Sequence, residues 1–255
     1  MKILYLCSTD KENHLLFDTF KSFDVESMMV MEDNKKNKLN LVKKKFKKLN
    51  IFQKILYPLD LIAIFIFKIS LNKFLTKKLN LNNYKSDNEN KIIVSNINNQ
   101  SVYEKIVIFD PDVVIVRGTS IIKKPLINFQ ARYFLNIHGG IVPNYRNVHS
   151  QFWSYYFRDF KNMGSSILHI TEGVDNGNIA LISKIKNIPK SLRKLYLETF
   201  LDSKELLNML INDLVNGKKL NSIPQNKNIQ AFYGKTPGIK DFIYLFFRQS
   251  VHKID

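Results

Sequence analysis

Cysteine is nearly absent: Cys7 is the only one in 255 residues. That rules out a disulfide framework and any CxxC metal site, and it fits a reducing, cytoplasmic compartment. No apolar run of signal-peptide length opens the chain, which begins M-K-I-L-Y-L-C-S-T-D. No G-x-G-x-x-G follows the first strand-like segment, so the dinucleotide fingerprint is missing. The chain also lacks an H-x-x-x-H or comparable ligand cluster, a G-x-S-x-G nucleophile elbow and internal repeats. Metal-assisted hydrolysis and covalent serine catalysis therefore have no sequence support.

Acidic residues are scarce, 22 against 39 basic ones, and the net charge is +17. The imbalance is local. Between Lys35 and Lys78 there are thirteen lysines, no arginine and one acid, Asp60, so this window carries twelve of the seventeen excess charges. A lysine-only patch without interleaved aromatics is a poor nucleic-acid surface.

What is present alternates between strand and helix patterns. Lys2–Cys7 reads as a buried strand, Asn13–Phe23 as a helix and Val25–Met31 as a second strand. Short strands follow at Lys91–Val94, Val113–Val116, Ala131–Ile137, Ser165–Ile170 and Ile179–Lys186, with helices at Ser101–Phe109, after Pro125, and at Val148–Arg158. Leu195–Asn216 has amphipathic spacing and stops at Gly217. The expected class is α/β, a mostly parallel twisted sheet flanked by helices. The expected division is an α/β domain over 1–190, interrupted by an insertion at 35–85, and a helical extension over 191–255 packing on it.

The insertion pairs a lysine-rich helix, Lys35–Lys54, with an apolar run, Ile55–Leu71, and a basic end, Asn72–Lys78. The run is short for a membrane span and contains Pro58, Asp60 and Lys68. Two other readings stand beside a span: a helix lying peripherally on an anionic inner-membrane surface, and a hairpin packing on the core or on a second copy in a homodimer.

Chemistry concentrates in Phe134–Asn147, F-L-N-I-H-G-G-I-V-P-N-Y-R-N. Asn136 and His138, two apart at a strand end, share one face of the sheet. The amide can donate to a developing oxyanion, and the imidazole can exchange a proton near neutral pH. Gly139–Gly140 lets backbone and ligand approach closely. Asp175 lies in a glycine-bracketed loop, G-V-D-N-G. The intervening chain is about long enough to return to the neighbouring strand's end, where a carboxylate can orient His138. Direct attack by a nucleophile on a bound carbonyl suits these residues better than covalent catalysis. A histidine beside glycines is also a common structural feature, and spacing alone does not separate the two.

Asn136-Ile-His138, Pro143, Tyr145-Arg146, Trp153 and Gly173-Val-Asp175-Asn-Gly177 together resemble the folate-dependent formyltransferase family, whose pattern is N-x-H-x-x-x-x-P-x-Y-R-G followed by a D-x-G loop. The resemblance covers Lys91–Ile185 well and Met1–Met31 in outline. It implies formyl transfer from 10-formyltetrahydrofolate, with no metal, to a primary amine, with Asn136, His138 and Asp175 catalytic. Folate would lie against Val116, Arg117 and Gly118 and the loop holding Ile170, Glu172 and Gly173. The acceptor would enter beside Ser8, Tyr145 and Arg146. An amino sugar, nucleotide-linked and destined for surface polysaccharide, is the leading acceptor. Alternatives are methionyl-tRNA formyltransferase activity, for which the 40 or so residues after Asn216 are too few to form a tRNA-gripping barrel, and 10-formyltetrahydrofolate hydrolase. A membrane-surface binding protein with a decayed site is the non-enzyme alternative. Three departures from the pattern bear on the acceptor: Asn147 in place of glycine, a first loop Ser8–Asn13 without a glycine-rich phosphate cradle, and His149-Ser150-Gln151.

Overall fold

The computed structural model describes residues 1–33, 35–84 and 90–251; the last residues of the expected 35–85 and 191–255 segments lie outside them. The chain opens with β1 (Lys2–Ser8), α1 (Asn13–Lys21) and β2 (Glu26–Glu32). Two helices follow, α2 (Lys35–Lys47) and α3 (Ile51–Lys78), and then β3 (Lys91–Val94), α4 (Gln100–Phe109), β4 (Val113–Arg117), β5 (Tyr133–His138) and β6 (Tyr145–Asn147). The remainder is α5 (Ser150–Tyr156), β7 (Gly164–His169), β8 (Ile179–Lys184), α6 (Leu192–Val215), β9 (Phe232–Gly234) and α7 (Ile239–Val251).

Seven strands form one sheet in the order β3-β2-β1-β4-β5-β7-β8. The first five are parallel; β7 runs antiparallel to both β5 and β8. β6 and β9 form a separate parallel pair. The central strands are covered on both faces, which is why they read as continuous apolar runs. On β1, Ile3, Tyr5 and Cys7 join α1 and α6 in one core cluster, whereas Leu4 and Leu6 join α4 in another. A third, aromatic cluster around Phe152, Trp153 and Leu195 ties α5 to α6 and α7 and to Phe67 of α3.

Several expectations change. The lysine-rich helix does not run to Lys54: it ends at Lys47, and Asn50 and Gln53 form a reciprocal capping box that starts α3. Pro58 lies inside α3, within its second turn, and the helix continues through it. The helix expected after Pro125 is one 3₁₀ turn, Leu126–Asn128. Within the expected 191–255 extension, α6 is a wall of the main core, with Leu207, Leu210 and Ile211 fully buried against the central strands. The stretch between α6 and α7 is not helical; it carries β9 and an isolated bridge from Ile223 to Ile179.

Because α6 is core, Leu210→Ala should lower unfolding free energy by roughly 2–5 kcal/mol. Met209→Ala, at a position 50% exposed, should stay within about 0.5 kcal/mol. Urea denaturation followed by circular dichroism checks both, and equal effects would mean that α6 is peripheral.

Candidate active site

The site is built on the end of β5. Alternation sends Leu135 and Ile137 into the α1/α6 core and leaves Phe134, Asn136 and His138 on the opposite face. His138 is 7% exposed. The neighbouring strand is not parallel as a simple return would require: β7 pairs antiparallel, with His138 beside Ser166 and Leu135 beside His169. The chain therefore leaves β7 at the wrong end of β5 and must double back. The loop from Ile170 to Asn178 does so, with Ile170 N–H donating to Phe134 O (2.7 Å) and His169 N–H to Asn178 O (2.9 Å). Gly177 is obligatory in this bend, because a Cβ there would lie 1.6 Å from His169 O.

The fold-back brings all three expected residues together. Asn136 Nδ2 donates to Asp175 Oδ1 at 2.9 Å, and His138 Nδ1 lies 3.4 Å from Asp175 Oδ2. Asn147 N–H donates to the same Oδ2 at 2.7 Å. A carboxylate only accepts, so it also settles which end of the Asn136 side chain is the NH₂. That group keeps a second hydrogen for a ligand.

The proton inventory of His138 follows by the same reasoning. Nε2 is 3.0 Å from Tyr145 O and 3.1 Å from Ser150 Oγ. A carbonyl cannot donate, so Nε2 carries hydrogen. Nδ1 faces the Asp175 carboxylate at 3.4 Å, so the ring is clamped between Tyr145 O and Asp175.

Of the residues expected to contact folate, Val116 packs with Ile122 and the partly buried Phe134 and Ile170 in the core cluster on the α4 side of the sheet. Val116 pairs with Asn136 across the sheet. Gly118 turns the chain at φ +69°, and Gly173 does so at φ +104°. The turn after β4 is fixed by Glu32, 4% exposed, whose carboxylate accepts from Ser120 N–H, Ser120 Oγ–H and Ile97 N–H. The Arg117 guanidinium is taken by Asn13 Oδ1 at 2.6 Å and Glu12 at 3.8 Å, over the ring of Phe200. Glu172 is exposed and 4.0 Å from Lys124.

The residues expected at the acceptor are used differently. Tyr145 is 5% exposed in the aromatic core, and its hydroxyl donates to Asp159, so its contribution to the site is the carbonyl that holds His138. Burial and Asp159 together push its phenol well above the usual range. Arg146 donates to Gln225 Oε1 at 2.6 Å and to the Tyr233 hydroxyl at 2.9 Å. Ser8 is tied to Asp10 and Asn13 at the end of β1.

Two of the departures are now accounted for. Asn147 takes φ +69°, a conformation glycine adopts freely and asparagine tolerates, and its amide donates to Gly234 O. The turn is therefore kept. Ser150 is the partner of His138 Nε2, and Gly139 and Gly140 are small because of α5: Cβ atoms there would meet Gln151 and Ser150 at 2.1 and 2.5 Å. The close approach is to protein, not to ligand.

Gln225 was invisible to sequence reasoning. Its Nε2 donates to Asp175 O and Gly177 O, at 2.9 and 2.7 Å, so Arg146 and Gln225 together pin the Asp175 loop. It lies in a patternless segment, and no spacing rule singles it out. Gln225→Ala should accelerate amide exchange across residues 171–178 by about tenfold, since each lost hydrogen bond is worth roughly 0.5–1.5 kcal/mol, without exposing β1 or β4. Unchanged exchange would show that the loop holds itself. His149 generates a second expectation. Burial, with Lys68 adding repulsion, pushes its imidazole from 6.5 to about 4. The folded ring resists a proton that the unfolded chain takes up, so stability is full above pH 6.5. It should decline as pH falls towards 4, by up to roughly 3 kcal/mol. His149→Gln should flatten that slope in urea midpoints; an unaltered slope would assign it to other groups.

Residues 72–207 match the formyl transferase family. A methionyl-tRNA formyltransferase of Finegoldia magna is 30% identical over 147 residues, 56% of this chain and 46% of that protein. The chain thus matches less than half the length of this curated relative. Among solved structures, a 4-N formyltransferase from Francisella tularensis superposes with TM-score 0.57 at 15% identity, covering 95% of this chain and 86% of that one. A formyltransferase from Anoxybacillus kamchatkensis, solved with UDP-4,6-dideoxy-4-formamido-L-AltNAc and tetrahydrofolate, superposes with TM-score 0.52 at 18% identity, covering 96% and 90%. A match over more than half of the chain, joined to an Asn–His–Asp cluster at the end of β5, leads to one conclusion: the chain belongs to the formyl transferase family.

Proposed function

We propose that this chain transfers a formyl group from 10-formyltetrahydrofolate to the primary amine of a small acceptor, an amino sugar carried on a nucleotide. The observation that carries the reading is the Asn136–His138–Asp175 triangle at the end of β5. Bound beside it, the folate supplies an acyl carbon already activated for attack. The second hydrogen of Asn136 Nδ2 is the donor placed to stabilise negative charge on the acyl oxygen, with the His138 ring beside it. Asp175 holds both side chains in register. Its carboxylate takes the proton that the attacking amine loses as the new C–N bond forms and passes it to the folate nitrogen as the old C–N bond breaks, releasing tetrahydrofolate.

The amino-sugar reading draws support from the chain after α6. It folds back onto this domain, with β9 paired to β6 and α7 beside α3. Tyr233 of β9, 54% exposed, lies over the Arg146 guanidinium at 5.7 Å, one link from Asp175. An exposed aromatic ring there suits stacking of a sugar or base. The 95% overlap with the Francisella fold agrees with this layout. A methionyl-tRNA acceptor is the second reading, favoured by the 30% identity to the Finegoldia protein.

The test is mass spectrometry of the purified protein with 10-formyltetrahydrofolate, a panel of dTDP- and UDP-amino sugars, and aminoacylated initiator tRNA. A formylated sugar is expected. Formylated tRNA would select the second reading, and formate alone would mean a hydrolase. His138→Ala and Asp175→Asn should each reduce kcat by about 10²–10⁴ with circular dichroism unchanged. Asn136→Ala should reduce it by about 10²–10³. Retained turnover in the His138 variant would refute the mechanism.

A further inference from the structure

We propose that α3, with α2 and the end of α7, is a docking surface for an anionic lipid bilayer, on which the protein sits peripherally. The inference does not rest on the reaction assigned above.

α3 has two faces with different occupations. One is spent on the protein. Tyr57, Ile64, Leu71 and Leu75 are buried along it, and Phe67 stacks against Tyr196 and Phe242 at 5.8 and 5.3 Å. The single acid of the insertion belongs to this face as well: Asp60 Oδ1 accepts Ile239 N–H at 2.7 Å, at the start of α7. A bilayer span would break all of these contacts, so α3 in this fold does not cross a membrane despite 28 residues of mean hydropathy high enough to do so.

The other face is apolar and exposed. Phe52, Ile55, Leu59, Ile62, Ile66 and Ile69 alternate three and four residues apart and are 76, 65, 47, 53, 60 and 52% exposed. This spacing makes one straight stripe about 26 Å long. Phe246 and Phe247 of α7, which packs on α3, are also exposed, at 68 and 64%. A stripe of this size is far beyond the scattered exposed leucines of an ordinary surface.

The surroundings of the stripe decide what covers it. Lys43, Lys44, Lys45, Lys47 and Lys48 of the α2 region are exposed at one end, and Lys73, Lys77 and Lys78 are exposed at the other. With Asp60 turned inward, no acid of the described insertion offsets them. A second copy of this chain would set one basic rim against another in a two-fold interface and would be repelled. An anionic leaflet offers the complementary charge, and an in-plane helix buries such a stripe at the boundary between headgroups and acyl chains. Between α2 and α3 runs a groove of about 400 Å³ lined by Val42, Phe46, Tyr57, Pro58 and Leu61 together with Lys43 and Lys47. Apolar walls with lysines among them match an acyl chain and its phosphate headgroup.

The test is flotation of the full chain with vesicles of phosphatidylcholine, with and without phosphatidylglycerol, alongside sedimentation velocity without lipid. Expected is recovery with the anionic vesicles, little with the neutral ones, and loss at high salt. A variant combining Ile55→Asp, Ile62→Asp and Ile66→Asp should stay folded, since all three side chains point outward, and should no longer float. Changing Lys43, Lys44, Lys47 and Lys48 to Gln should weaken vesicle binding by about tenfold or more. No recovery with either vesicle, or equal recovery with both, would overturn the proposal. So would a lipid-free dimer that the triple Asp variant converts to monomer, which would assign the stripe to a second copy.

Discussion

Everything at the site depends on one carboxylate. Asp175 accepts from Asn136 Nδ2 and Asn147 N–H and faces His138 Nδ1, so three groups on β5 and β6 are referred to a single pair of oxygens. The interaction is sterically demanding. Asp175 takes φ +48°, Gly177 admits no side chain, and the loop is secured from outside by Gln225. The antiparallel course of β7 is the reason: a chain leaving that strand must reverse to reach His138, and a tight reversal needs both left-handed backbone and external hydrogen bonds. The geometry of the Asn–His–Asp cluster and the backbone strain therefore have the same origin.

The charge of the chain has a separate explanation. It does not surround the Asn–His–Asp cluster; it lies with α2 and α3, on a feature that meets the enzyme-like domain through the aromatic cluster at Phe67, Tyr196 and Phe242. His149, four residues after Tyr145 of β6, lies 3.4 Å from the Tyr196 hydroxyl, and its pKa is lowered by burial and, in part, by Lys68. The insertion and the segment following the site motif are thus in electrostatic contact, though they are remote in sequence.

Much of this was legible in advance, for identifiable reasons. The buried strands announced themselves because parallel strands covered on both faces are apolar at every position, as in Val113–Val116. The shared face of Asn136 and His138 followed from the two-residue period of a strand. The stop at Gly217 followed from its left-handed φ of +72°. What was missed had no periodic signal. The break between α2 and α3 is a capping box spread over four residues inside a run of lysines. Gln225 acts through two backbone carbonyls some fifty residues away. Tyr145 and Arg146 looked like ligand residues because they follow the motif, yet one is buried in an aromatic core and the other is committed to Gln225 and Tyr233.

Local chemistry determined which residues could do the work: an amide and an imidazole on one strand face, a carboxylate in a glycine-bracketed bend, and a basic, apolar insertion kept apart from them. Tertiary structure decided how they are used. It reversed the direction of β7, so that Asp175 arrives from a folded-back loop, and it oriented His138 between a carbonyl and a carboxylate. It also turned Asp60 inward to α7 and left the opposite face of α3 bare. Side-chain type and period are properties of neighbouring residues, whereas strand direction and the choice of which helix face is covered depend on partners far along the chain.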